Sequence, residues 1–212
     1  MDKGQYTQWL QFLFDHPDPA GRPEWYWDID LEDFDASPED QVRLVGQTFE
    51  HAGRDLLKYS EIQIKNGFNY ILNNAISNTV FLLTQEGVPE DLRIDAVLKM
   101  KNLYRDCFAK RCEPVLSHLD EPDAGPLNSI CYMLWDISPL CQWKDVVLEV
   151  MEDALYIPND ACIESALHGL GHRNYQDKKR PPEIIDRFLA KTKNVRPELK
   201  QYALSAKAGR IQ

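Results

Sequence analysis

No CxxC pair occurs in the 212 residues, and the five cysteines (Cys107, Cys112, Cys131, Cys141, Cys162) sit mostly inside apolar helical stretches. That argues against a zinc site of the common kind and points to buried, reduced thiols in a cytosolic protein. No Gly-rich phosphate loop, GxSxG elbow or nucleophile beside an obvious base is present, so the familiar catalytic patterns are missing. Cys162 and His168 are six positions apart on one helix and diverge, which removes a Cys–His pair. Nor is there a long apolar run free of polar groups. The nearest, Phe68 to Leu83, carries Asn69, Asn73, Asn74, Ser77 and Asn78, which are costly in lipid. The N-terminus has Asp2 and Asp15 where a signal peptide would be basic and then apolar. A cytoplasmic protein with no membrane partner is expected. The Asp-rich stretch from Asp28 to Asp35 lacks the glycine and terminal Glu of a calcium loop, so it reads as acidic surface.

Charge is plentiful but uneven. Residues 1–50 carry 12 acidic and 3 basic side chains, a net of −9, whereas residues 171–212 carry 4 acidic and 11 basic, a net of +7. The overall −10 argues against general nucleic-acid affinity, with the basic C-terminal third as the one contrary feature. The asymmetry predicts that the acidic arm packs near the basic end of this chain or of a neighbouring copy.

No segment sustains a strand pattern, so the chain reads as all-α. Tyr6 to Phe14 has helical spacing with Trp9, Leu10, Phe12 and Leu13 as its apolar face. The Pro-rich His16–Pro23 and the aromatic, acidic Glu24–Asp35 then form an irregular arm, residues 1–36, whose Trp25, Tyr26 and Trp27 cap the first helix pair. Residues 37–212 form the second region. Ser37-Pro38-Glu39-Asp40 opens a helix to about Tyr59, and Ser60 caps another to about Thr84. A long helix should follow from Pro89 to about Cys112, then helices from Pro126, 145–156, 160–172, 182–191 and 197–208.

Within that region the chain repeats itself. Val147, Leu148, Glu149 and Met151 match Ile184, Ile185, Asp186 and Phe188 at an offset of 37. Ala166, Leu167 and Gly169 match Ala203, Leu204 and Ala206. At 36, Leu127-Asn-Ser-Ile-Cys-Tyr-Met-Leu-Trp-Asp136 matches Ile163-Glu-Ser-Ala-Leu-His-Gly-Leu-Gly-His172. A period of this length with helical spacing inside it predicts stacked antiparallel helix pairs in units of about 38–84, 89–136, 145–172 and 182–209. Over residues 89–209 the helix lengths, pairing and small-residue positions resemble HEAT or armadillo-like α-solenoids. The resemblance implies a right-handed α–α superhelix. The phrases around Asn128 and Glu164 also resemble a bacterial family of such proteins, which brings no activity with it.

The chemistry-bearing residues fall on the second helices. Glu164, His168 and His172 recur in steps of four and share one face, and the 36-residue register sets Asn128, Tyr132 and Asp136 beside them. Gln201, Ser205 and Gly209 continue the row, and Asn66, Tyr70, Asn74 and Asn78 form a similar ladder on 60–84. In HEAT-like solenoids second helices line the concave surface. The favoured expectation is therefore a non-enzymatic interaction module that grips a protein or peptide partner with Asn128, Tyr132, Asp136, Glu164, His168, His172, Tyr70 and Asn74. No cofactor is implied, and acidic immunity or antitoxin proteins supply the analogy. The alternative from another class is a metal-dependent hydrolase using Glu164, His168 and His172 with Asp136. Against it stand the missing HExxH order and Gly169 and Gly171, which should loosen the helix. The histidines also read as structural groups satisfying buried polar atoms between repeats.

Overall fold

Side-chain caps decide where the first helices begin. The computed structural model describes residues 3–18 and 20–211. Met1, Asp2, Pro19 and Gln212 lie outside them, so the readings placed on Asp2 and Pro19 lie there too. After α1 (Lys3–Phe14), the Ser37 hydroxyl accepts the Asp40 N–H at 3.2 Å, and Pro38 occupies the first turn of α2 (Pro38–Asp55). Ser60 and Gln63 cap α3 (Glu61–Leu72) reciprocally, at 2.9 and 3.3 Å.

The expected continuation of α3 to Thr84 does not form. Asn73 leaves the helix with extended backbone (φ −87°, ψ 111°), and its side-chain oxygen accepts the Ala75 N–H at 2.9 Å. The Ser77 hydroxyl donates to the Tyr70 carbonyl, so local polar side chains satisfy the helix end. Helix resumes as the single turn α4 (Thr79–Leu82). Asn74 and Asn78 therefore leave the predicted ladder.

The long helix predicted from Pro89 is a succession: α5 (Glu90–Leu98), α6 (Met100–Asn102), a π turn (Leu103–Phe108) and α7 (Ala109–Arg111). The π turn carries Tyr104, which is fully buried. Its hydroxyl lies 2.7 Å from Ser165 Oγ and receives the Trp135 indole N–H at 2.8 Å. Five further helices follow: α8 (Pro126–Met133), α9 (Val146–Ala154), α10 (Asp160–Arg173), α11 (Arg180–Lys191) and α12 (Pro197–Lys207). Among the described residues there is no strand, and no helix is long and apolar enough to cross a membrane.

Second helices pack in a row, α3 on α8, α8 on α10 and α10 on α12, while α2 packs on α5 and α5 on α9. The matched apolar positions do the same work in successive units. Val147, Leu148 and Met151 are buried, as are Ile184, Ile185 and Phe188. Full burial of one such side chain contributes about 1.5–3 kcal/mol. Leu167 is fully buried, whereas its counterpart Leu204 is 46% exposed. The glycines of α10 mark close approaches and do not loosen it. A Cβ on Gly169 would stand 2.7 Å from the Trp135 ring and from Met151 Cε, and one on Gly171 2.5 Å from Ile211.

The acidic arm turns back over α1 and α3. Trp25 stacks on His16 (4.2 Å between ring centroids) and on Tyr70 (5.1 Å), and Phe34 meets Trp9 edge-on at 5.1 Å. Gln63 Nε2 donates to the His16 carbonyl at 2.8 Å, pinning the start of the arm to α3.

Candidate metal centre

The 36-residue register survives between α8 and α10, and it builds the site. The Tyr132 ring lies 4.5 Å from the His168 ring, and Asp136 Oδ1 lies 3.3 Å from His172 Nε2. One helical turn separates His168 from His172, and their Nε2 atoms approach to 3.1 Å. One ligand atom from each of Asp136, His168 and His172 thus falls within 4.8 Å of the others. Asp136 is exposed, His172 is half-buried and His168 is buried, so the cluster opens to solvent on one side.

Protonation favours ligation. Burial, reinforced by His172 and His118, lowers the His168 pKa to about 4, against the opposing pull of Asp136. At neutral pH that imidazole is uncharged, the form that coordinates metals. His168 Nδ1 lies 2.7 Å from the Tyr202 hydroxyl on α12, which lies 3.3 Å from the Tyr132 hydroxyl. Burial pushes the Tyr202 pKa up, with Tyr132 and Glu164 adding to it, so the phenol keeps its proton. With Nδ1 donating to Tyr202, and Tyr202 donating on to Tyr132, His168 Nε2 turns a lone pair toward His172 and Asp136. Ligand atoms about 2.0–2.1 Å from a tetrahedral zinc ion are separated by about 3.3 Å; the His168–His172 and His172–Asp136 spacings, 3.1 and 3.3 Å, are close to that, and the third pair lies within 4.8 Å.

Glu164, predicted on the same stripe, points elsewhere. Its carboxylate is fully buried and accepts the backbone N–H groups of Ser117 and His118, both at 2.9 Å, and lies 2.5 Å from His118 Nδ1. It anchors the Ser117–Leu119 turn to α10, and the carboxylate beside the two histidines is that of Asp136. His118 in turn stacks on Tyr202, with 4.0 Å between ring centroids. Asn128 is also committed inside the chain: its side chain accepts the N–H groups of Glu113 and Gly125 at 3.1 and 3.2 Å and donates to the Glu113 carbonyl at 2.8 Å. Tyr70 lies under the arm, its hydroxyl 3.2 Å from Asp33 and its ring against Phe12 and Trp25. Exposed Asn74 donates its backbone N–H to the Ile137 carbonyl at 3.2 Å.

Of the predicted site residues the structure therefore gathers Tyr132, Asp136, His168 and His172. It separates Asn128, Glu164, Tyr70 and Asn74 from them. Sequence reasoning missed His118 and Tyr202. His118 sits in a loop 46 residues before Glu164, where no periodicity reports it. Tyr202 is 34 residues from His168 and so escapes a 37-residue register, which selects Ser205. Comparison with family models, with curated proteins and with solved structures yields no match, and the site's meaning rests on its own geometry.

Proposed function

We propose that this protein binds one divalent transition-metal ion, zinc in the first instance, through His168 Nε2, His172 Nε2 and Asp136, and uses it for hydrolytic chemistry. One observation carries the reading: ligand atoms of Asp136, in the turn after α8, and of His168 and His172 on α10 converge within 4.8 Å, with His168 Nδ1 2.7 Å from the Tyr202 hydroxyl. Two imidazoles and a carboxylate are the donor set of catalytic zinc sites, and the solvent-facing side leaves a position for water. A bound ion lowers the pKa of that water toward about 7 and supplies the nucleophile that the side chains lack. The hydrogen bond at His168 Nδ1 is the outer-sphere contact that metal-bound histidines commonly make.

The stacked packing of α3, α8, α10 and α12 supports a HEAT-like solenoid as the scaffold. The five buried free thiols support a cytoplasmic setting. The same face read as a groove for a protein partner draws on Tyr132, Asp136 and His172, because Asn128, Glu164 and His168 are buried.

Metal analysis tests the proposal. Untagged protein dialysed against zinc and then against buffer retains one equivalent, and Asp136→Ala or His172→Ala loses it. Retention below one tenth of an equivalent, or unchanged retention in both variants, overturns it.

A further inference from the structure

A cavity of about 470 Å³ lies between the Ser117–Leu119 turn and the start of α12, next to the metal centre. Its volume is in the range that holds small organic ligands. The walls are largely apolar: the rings of His118 and Tyr202, Pro197, and Leu119, which is 47% exposed. Gln201 supplies a polar edge. Tyr202 belongs to both places, since its ring lines the cavity while its hydroxyl holds His168 Nδ1 at 2.7 Å. Anything seated there leans on the group that orients a metal ligand.

Charge narrows the class of occupant. Glu198 stands in the wall, and the Glu164 carboxylate lies behind His118. The neighbouring Arg196 guanidinium is engaged by Glu121, Glu198 and Asp160 at 2.5, 3.2 and 3.5 Å. Three carboxylates share that one guanidinium, so this edge carries net negative charge and disfavours an anion, at a cost of several-fold in affinity near the surface.

We propose that this cavity is a ligand site for an uncharged aromatic or short aliphatic group, the portion of a substrate that is held beside the metal. Its role as a substrate site rests on the metal reading above; its occupancy does not. The rings of Tyr202 and His118, 4.0 Å apart and nearly parallel, form one wall. Glu164 holds that wall in place through the backbone of the turn, so the cavity exists before a ligand arrives.

The probe is 2-naphthol, added to metal-free protein and followed by the Tyr202 ring and Leu119 methyl resonances. Saturable binding below about 1 mM is expected. The anionic 2-naphthoate, with the same ring system, should bind roughly tenfold more weakly or worse. Gln201 is exposed on α12, so Gln201→Trp folds and fills the cavity; it should abolish naphthol binding and leave zinc retention unchanged. Absence of saturable binding, equal affinity for the naphthoate, or normal binding by the tryptophan variant overturns the proposal. If naphthol binds while zinc is not retained, the ligand site stands and the metal reading falls. If zinc is retained while naphthol does not bind, the reverse holds.

Discussion

His168 Nδ1 and the Tyr202 hydroxyl meet at 2.7 Å across α10 and α12, although 34 residues separate them in the chain. The bond fixes which nitrogen of the imidazole faces Asp136 and His172. Tyr202→Phe leaves the ring, and the stacking on His118, but removes the oxygen. Zinc affinity should then fall about 10-fold or more, as loss of such outer contacts does in metal sites. Stability should fall by about 1–3 kcal/mol because a buried ring nitrogen loses its partner. Competition with a chromophoric chelator and urea unfolding measure the two effects separately.

Acid should destabilise the metal-free fold through His168. Its folded pKa is lowered to about 4 from an ordinary value of 6.5, so the unfolded chain binds the proton more readily. The stabilisation is therefore present above about pH 6.5 and is lost as pH falls toward 4. With the side chain buried, the loss is on the order of 2–3 kcal/mol. Urea midpoints compared at pH 7 and 4.5 should show it, and His168→Gln should flatten that part of the pH dependence.

Glu164 separates a structural role from a ligand role. Its buried carboxylate satisfies two backbone N–H groups and His118, so Glu164→Ala should cost on the order of 3 kcal/mol or more. Glu164→Gln keeps an acceptor and should cost less. Both variants, studied below their melting temperatures, should still retain one zinc, since the carboxylate of the cluster belongs to Asp136. Loss of the ion in Glu164→Gln would move Glu164 into the metal site.

The seat of α1 on α3 is tested at Gly67. A Cβ there would overlap the Phe14 ring and stand 2.9 Å from the Leu13 carbonyl oxygen, a backbone atom that cannot swing aside. Gly67→Ala should destabilise the protein by roughly 1–3 kcal/mol through overpacking. Thermal unfolding measures the cost, and zinc retention at low temperature should be unchanged because the site lies on α10 and the turn after α8.

The sequence was legible where one local rule acted alone. Ser37 and Ser60 mark their helices because hydroxyl caps act within three residues. The repeat placed Tyr132 beside His168 and Asp136 beside His172 because α8 and α10 pack with little axial shift. Where two rules compete, it was not. Helical spacing runs through Asn73, but the Asn73 and Ser77 side chains capture backbone groups and stop α3 there. The π turn at Leu103–Phe108 leaves no mark in composition, since it answers to the buried meeting of Tyr104 with Ser165. Glu164 shares a stripe with the histidines, yet a loop from far upstream claims its carboxylate. A slide between α10 and α12 substitutes Tyr202 for Ser205 beside His168.

The central claim, that Asp136, His168 and His172 form one metal centre, is met most directly by titrating the metal-free protein with cobalt(II) and recording the visible spectrum. The account predicts ligand-field bands that saturate at one equivalent, vanish in His172→Ala, weaken in Asp136→Ala and are displaced by zinc. A spectrum that stays that of the hydrated ion, or bands that persist unchanged in both variants, would contradict it.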